Sequence, residues 1–151
     1  MQKPIWLLDI DGVINALGIP AWGDDPQSAM AHFVDGSYLI RWSPDLIADI
    51  IKLSERVEIR WLTTWGNEGN TTLKPMVGFP DEFPVQAEPH KQTGYEDVAY
   101  NPHDWKFCAA LEAARAKRPL IWTDDDAWTP TQKLFIEAYM EDNNVPSLMI
   151  K

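Results

Sequence analysis

Ile5-Trp6-Leu7-Leu8-Asp9-Ile10-Asp11-Gly12-Val13-Ile14-Asn15 is an apolar run of strand length that stops at two carboxylates spaced i, i+2. A glycine follows where the chain must leave the strand and turn. Side chains alternate faces along a strand, so Asp9 and Asp11 start on one side. Gly12 lets the backbone curl until both close on one small volume. Two like charges brought together repel, raise one pKa or hold a cation. The pattern therefore predicts a buried strand that ends in chemistry.

Downstream, Ala16 to Gly36 carries Gly18, Pro20, Gly23, Asp24, Asp25 and Pro26 without helical or alternating period. It reads as a long loop or a short hairpin. An irregular stretch of this length beside an acidic pair is commonly functional, so residues 16–37 are expected to form a flap or loop insertion. Trp22 and His32 are its candidate substrate contacts. Tyr38 to Trp42 reads as a short strand or return arm.

Ser43-Pro44-Asp45 opens a helix, with a hydroxyl cap, proline in the first turn and acid at the positive dipole end. Leu46, Ile47, Ile50 and Ile51 form its apolar face, and it runs to about Arg56. Val57 to Leu62 is a second strand, ending at Thr63-Thr64-Trp65-Gly66. A strand–helix–strand unit of this length predicts parallel pairing. Thr63 is thereby placed beside Asp9.

Glu68 to Leu73 is expected to begin a helix that Pro75 limits, and Val85-Gln86-Ala87 to form a short strand. A helix from about Asp104 to Lys117, capped by Asn101-Pro102 or Asp104, is expected to bury Phe107, Cys108, Leu111 and Ala114. Leu120 to Thr123 is a third strand and runs into Asp124-Asp125-Asp126. Thr129-Pro130 starts a last helix, with Leu134, Phe135, Ala138 and Tyr139 inward. Asp142-Asn143-Asn144 stops it, and Ser147 to Ile150 is a final edge strand. The fold class expected is α/β, a three-layer Rossmann-like parallel sheet, with residues 1–151 as one domain.

Three apolar strands thus end in polar residues, and open parallel sheets bind ligands beyond the carboxyl ends of their strands. Asp9, Asp11 and the Asp124–Asp126 cluster offer hard oxygen ligands, Thr63 a hydroxyl and Lys106 a fixed positive charge. In this order the chain resembles the haloacid-dehalogenase-like (HAD) hydrolases, mostly Mg²⁺-dependent phosphatases. Their first motif, Asp-x-Asp-Gly after an apolar strand, is matched by residues 5–13. Their second is matched by Thr63, their third by Lys106 and their fourth by Asp124 and Asp125.

The resemblance implies an HAD-like fold and catalysis by Asp9, Asp11, Thr63 and Lys106 through an aspartyl-phosphate. It implies Mg²⁺ held by Asp9, Asp11 through its backbone carbonyl, Asp124 and Asp125. Gly12, Thr64, Trp22 and Trp65 are candidate substrate contacts. Thr64 stands as an alternative to Thr63 and Lys91 to Lys106, and Asp125 and Asp126 also suit a role as turn caps. Trp61-Leu62-Thr63-Thr64-Trp65 is similar to the second motif of phosphatase domains in nucleic-acid repair proteins. A nucleotide or a nucleic-acid terminal phosphate is accordingly among the expected phosphomonoester substrates. The rival class is an inactive HAD-like module that binds a nucleotide or protein partner without turnover.

Composition bounds these readings. A formal charge of −10 on 151 residues argues against a broad grip on polynucleotide, which needs basic residues to release counterions. One metal ion and one lysine still suffice for a single phosphate. The lone Cys108 suits a reducing cytoplasm. The apolar run after Lys3 is shorter than the roughly 7–15 residues of a signal-peptide core, and no stretch has the length of a membrane span.

Overall fold

The computed structural model describes residues 2–18, 22–23, 25–89 and 104–151. Its centre is a four-stranded parallel sheet in the order β4 (Glu58–Trp61), β1 (Ile5–Leu8), β5 (Leu120–Thr123), β6 (Ser147–Ile150). Leu8 pairs with Trp61 on one side and with Thr123 on the other. Backbone bonds carry the pairing past the strands, from Leu62 N to Leu8 O (3.0 Å) and from Asp9 N to Thr123 O (3.1 Å). The carboxyl ends of β1, β4 and β5 therefore lie side by side.

Both faces of the sheet are covered. Ile5, Leu7, Leu120, Trp122 and Met149 pack with α3 (Asp104–Ala114) and α4 (Pro130–Asp142) in one core. Leu8, Ile59 and Trp61 pack on the opposite side with α1 (Pro44–Ser54) and with the hairpin of β2 (Gln27–Phe33) and β3 (Gly36–Trp42). Continuous apolar strands are what a sheet buried on both faces requires. The architecture is α/β and compatible with a Rossmann-like fold.

Local chemistry sets the element ends. The Ser43 hydroxyl accepts from Leu46 N (3.0 Å) at the start of α1. Thr129 and Gln132 form a reciprocal capping box on α4, with Pro130 in the first turn, satisfying donors that would otherwise lack partners. Gly69 lies against the Trp61 indole, where a Cβ would come within 2.8 Å.

Of the two readings of the insertion after β1, the hairpin is the one found, with residues 27–33 paired to 36–42, and Tyr38 to Trp42 lies in its return arm. Other expectations are corrected. Pro75 does not limit a helix. A π-helical turn (Gly69–Leu73) continues into α2 (Lys74–Val77), with Pro75 in the first turn of α2. Val85 makes only an isolated bridge to Trp61. The helix expected to reach Lys117 ends at Ala114.

Two buried faces also differ. In α3 the inward residues are Trp105, Lys106, Ala109, Ala110, Ala113 and Ala114, while Phe107 and Leu111 only flank the core. In α4, Ile136 and Met140 are inward, while Leu134 and Phe135 are 66% and 55% exposed. Asn101 and Pro102, expected as caps of α3, lie outside the described residues. Among the described residues no helix is long and apolar enough to cross a membrane.

Candidate active site

Asp9 is the first residue beyond β1 and shares the sheet face of Ile5 and Leu7, the side covered by α3. Asp124 follows β5 on the same face. Lys106, in the first turn of α3, reaches down between them. Its Nζ donates to Asp9 Oδ2 at 3.0 Å and to Asp124 Oδ2 at 2.6 Å. All three are buried, Asp124 to 1% exposure and Lys106 to 8%. Residues 97 and 18 positions apart in sequence with Lys106 thus meet at one ammonium.

Asp125 completes the acidic group from the solvent side. Asp9, Asp124 and Asp125 each offer a carboxylate oxygen, and these oxygens lie within 4.8 Å of one another. The backbone fixes two of the carboxylates further. Asp9 Oδ1 accepts from Ile10 N (2.8 Å) and Asp124 Oδ1 from Asp126 N (3.0 Å). Gly12 is at φ +76°, and a Cβ there would collide with the Asp125 carboxylate, so the turn after Asp11 needs glycine twice over.

Electrostatics follow from burial and crowding. Burial pushes the Asp9 carboxyl from its ordinary 3.8 up to about 6. The Lys106 ammonium works against that rise, and the charge of Asp124 adds to it. Burial disfavours the Lys106 ammonium, yet Asp9 and Asp124 outweigh it and hold its pKa above the usual lysine value. Asp125 is raised by burial and then by the neighbouring Asp9 charge. Three carboxyl groups thus crowd around one ammonium.

Asp11 stands apart from this group. Its Oδ2 accepts from Trp65 Nε1 at 2.9 Å and its Oδ1 from Asn15 Nδ2 at 2.8 Å. Asn15 is buried and accepts in turn from Arg41 N (3.0 Å) on β3, while the Trp65 indole meets Phe33 of β2 edge to face at 4.8 Å. Asp11 is therefore tied to both arms of the hairpin. Asn15 is a residue that sequence reasoning gave no role. Its signal is an amide four positions after Asp11, across the Gly12 turn that Gly12 N closes on Asn15 O (2.9 Å).

The other candidates fall as follows. Thr63 lies two residues beyond β4, is buried, and accepts from Trp65 N on its Oγ1 (3.3 Å). Thr64 and Trp65 line a cleft above Asp11. Trp22 is half-buried and is not among the residues lining that cleft, and His32 is exposed with Ser37 Oγ at 2.7 Å. Lys91 lies outside the described residues. Compared with known proteins, the chain matches no family model, no curated protein and no solved structure.

Proposed function

We propose that this chain is a Mg²⁺-dependent phosphohydrolase of the HAD type, acting on a phosphomonoester through an aspartyl-phosphate. The observation that carries the reading is the Lys106 ammonium between Asp9 and Asp124, with Asp125 in reach, at the carboxyl ends of parallel strands. The donor set fits a divalent ion. Three carboxylates against one ammonium leave a formal charge of −2, and hard oxygen donors are what Mg²⁺ prefers. Asp9, Asp124 and Asp125 would hold it, with the Asp11 carbonyl as the resemblance implies. Bound Mg²⁺ supplies neutralisation of the phosphoryl oxygens, without which an anionic nucleophile is repelled.

The chain's own groups account for the remaining chemistry. Above pH about 6 Asp9 is a carboxylate and attacks phosphorus, forming one P–O bond while the ester P–O bond breaks. Asp11 gives its proton to the departing oxygen. The Asp11 carboxylate then takes a proton from water, which attacks the same phosphorus and releases inorganic phosphate and the Asp9 carboxylate. Lys106 holds Asp9 in place and adds fixed positive charge beside the oxygens that become more negative. Thr63 offers a hydroxyl to the same oxygens. Trp65 and Asn15 set the orientation of Asp11.

Phosphate release from a small panel of esters, with Mg²⁺ and with chelator, tests the reading. Release that depends on Mg²⁺ and is lost in Asp9→Asn is expected. Absence of release from every ester would favour a module that binds without turnover.

A further inference from the structure

In the proposed reaction Asp11 protonates the leaving group, so the space on the Asp11 side of the site belongs to the part of the substrate beyond the ester oxygen. A cleft of about 930 Å³ opens there, between the β2–β3 hairpin and the Trp65 turn, within the range of small-molecule sites. Its wall is aromatic. Phe33 packs edge to face on Trp65 at 4.8 Å and tilted on Tyr38 at 5.8 Å, and Tyr38 is half exposed.

Its polar groups are mixed. Arg41 lines the cleft and donates from one guanidinium nitrogen to Gly18 O (3.2 Å), and among the described residues it forms no ion pair. Asp35 and Glu68 supply acceptors along the same cleft. Two acidic side chains, Asp35 beside the Tyr38 hydroxyl and Glu68 beside Thr71, stand against one guanidinium, so a leaving group that carries further phosphates is disfavoured. A neutral planar ring with both acceptor and donor edges suits every part of this lining. Aromatic faces stack on a base, an arginine fork donates to its acceptors, and carboxylates accept from its amino groups.

We infer that the cleft is a leaving-group site for the nucleoside of a nucleoside monophosphate, with Tyr38 and Arg41 as specificity-determining residues. The inference rests on the phosphohydrolase reading for the direction of the substrate. It separates this protein from one acting on polynucleotide ends, whose additional phosphates would enter the same acidic cleft.

The test compares kcat/KM, with Mg²⁺, for nucleoside 5′- and 3′-monophosphates, glycerol phosphate, O-phosphotyrosine and a terminally phosphorylated oligonucleotide. Glycerol and nucleoside hydroxyls are similar leaving groups, so their ratio reads the contribution of the ring. A preference for the nucleoside ester of about tenfold or more is expected, the size of one base–aromatic stack. That ratio should fall about tenfold in Tyr38→Ala and be kept in Tyr38→Phe, since the ring and not the hydroxyl stacks. Equal turnover of the nucleoside and glycerol esters would overturn the inference while leaving the phosphohydrolase reading intact. Preference for O-phosphotyrosine or the oligonucleotide would overturn the nucleoside assignment. If no ester is turned over, tryptophan-fluorescence titration of Asp9→Asn with nucleoside monophosphate and glycerol phosphate decides the matter. Ring-dependent binding weakened by Tyr38→Ala would support the cleft's role, and its absence would overturn it.

Discussion

Replacing Asp9 by asparagine should stabilise the metal-free protein while abolishing its chemistry. The folded chain raises this carboxyl from 3.8 to about 6, so it holds the proton more tightly than the unfolded chain does. The resulting contribution to stability is fully present below about pH 4 and is lost as pH rises through about 6. At 1.36 kcal/mol per pKa unit, ionised Asp9 costs the folded state about 3 kcal/mol at pH 7. The attraction of Lys106 is already contained in that value, and the side chain is almost wholly buried, so solvent screening removes little of it. An amide of the same shape never ionises.

Urea unfolding in chelator, followed by tryptophan fluorescence from pH 4 to 8, checks the figure. Asp9→Asn should be more stable by about 3 kcal/mol at pH 7 and no more stable near pH 4. Mg²⁺ should narrow the gap, because an ion that binds only the folded wild type adds about 2.7 kcal/mol at a concentration of 100 Kd. A variant less stable than wild type at pH 7, or a difference that does not change with pH, would refute the reasoning.

Lys106→Met should lose activity and, in chelator at pH 7, about 3–5 kcal/mol of stability, because two buried carboxylates are left without their cation. Urea midpoints should recover as pH is lowered and Asp9 takes up a proton. Trp65→Phe keeps a ring against Phe33 but removes the N–H that holds Asp11. Steady-state kinetics should show kcat reduced about tenfold, the worth of one hydrogen bond to a charged group, with KM little changed and the pH profile displaced. Gly12→Ala should destabilise by more than about 1 kcal/mol, since it forces an L residue to positive φ and drives a methyl into Asp125. Thermal unfolding and Mg²⁺ titration both read that change.

The site was more legible in the sequence than the packing around it, and the reason is physical. Asp9 and Asp124 directly follow apolar strands and Thr63 comes two residues after one, and parallel pairing brings such ends together wherever the intervening helices lie. Lys106 was reachable because its place at the start of α3 is set by the helix that precedes β5. The faces of α3 and α4 were not readable in the same way. Residues 134–136 and 138–140 of α4 are all apolar or aromatic, so helical periodicity selects no single stripe, and burial went to Ile136 and Met140.

In α3 the inward face is rich in alanine, which allows the helix close to the sheet. A reading weighted toward large side chains favoured Phe107 and Leu111 instead. The hairpin was obscured because Ala29 and Ala31 give its buried face little contrast with Met30 and His32 on the other side. The hold of Asn15 and Trp65 on Asp11 spans 4 and 54 residues, and no local pattern marks the longer of the two.

The central claim is that Asp9 becomes covalently phosphorylated, and mass analysis of quenched turnover tests it directly. Asp11→Asn removes the base of the second step and the acid of the first, so the substrate is an aryl phosphate, whose leaving oxygen departs without a proton; after incubation with it and Mg²⁺ a phosphoryl group should accumulate on the peptide that contains Asp9. It should be absent with chelator and absent from Asp9→Asn. Phosphate release that persists in Asp9→Asn, or a phosphoryl group found on another residue, would contradict the account.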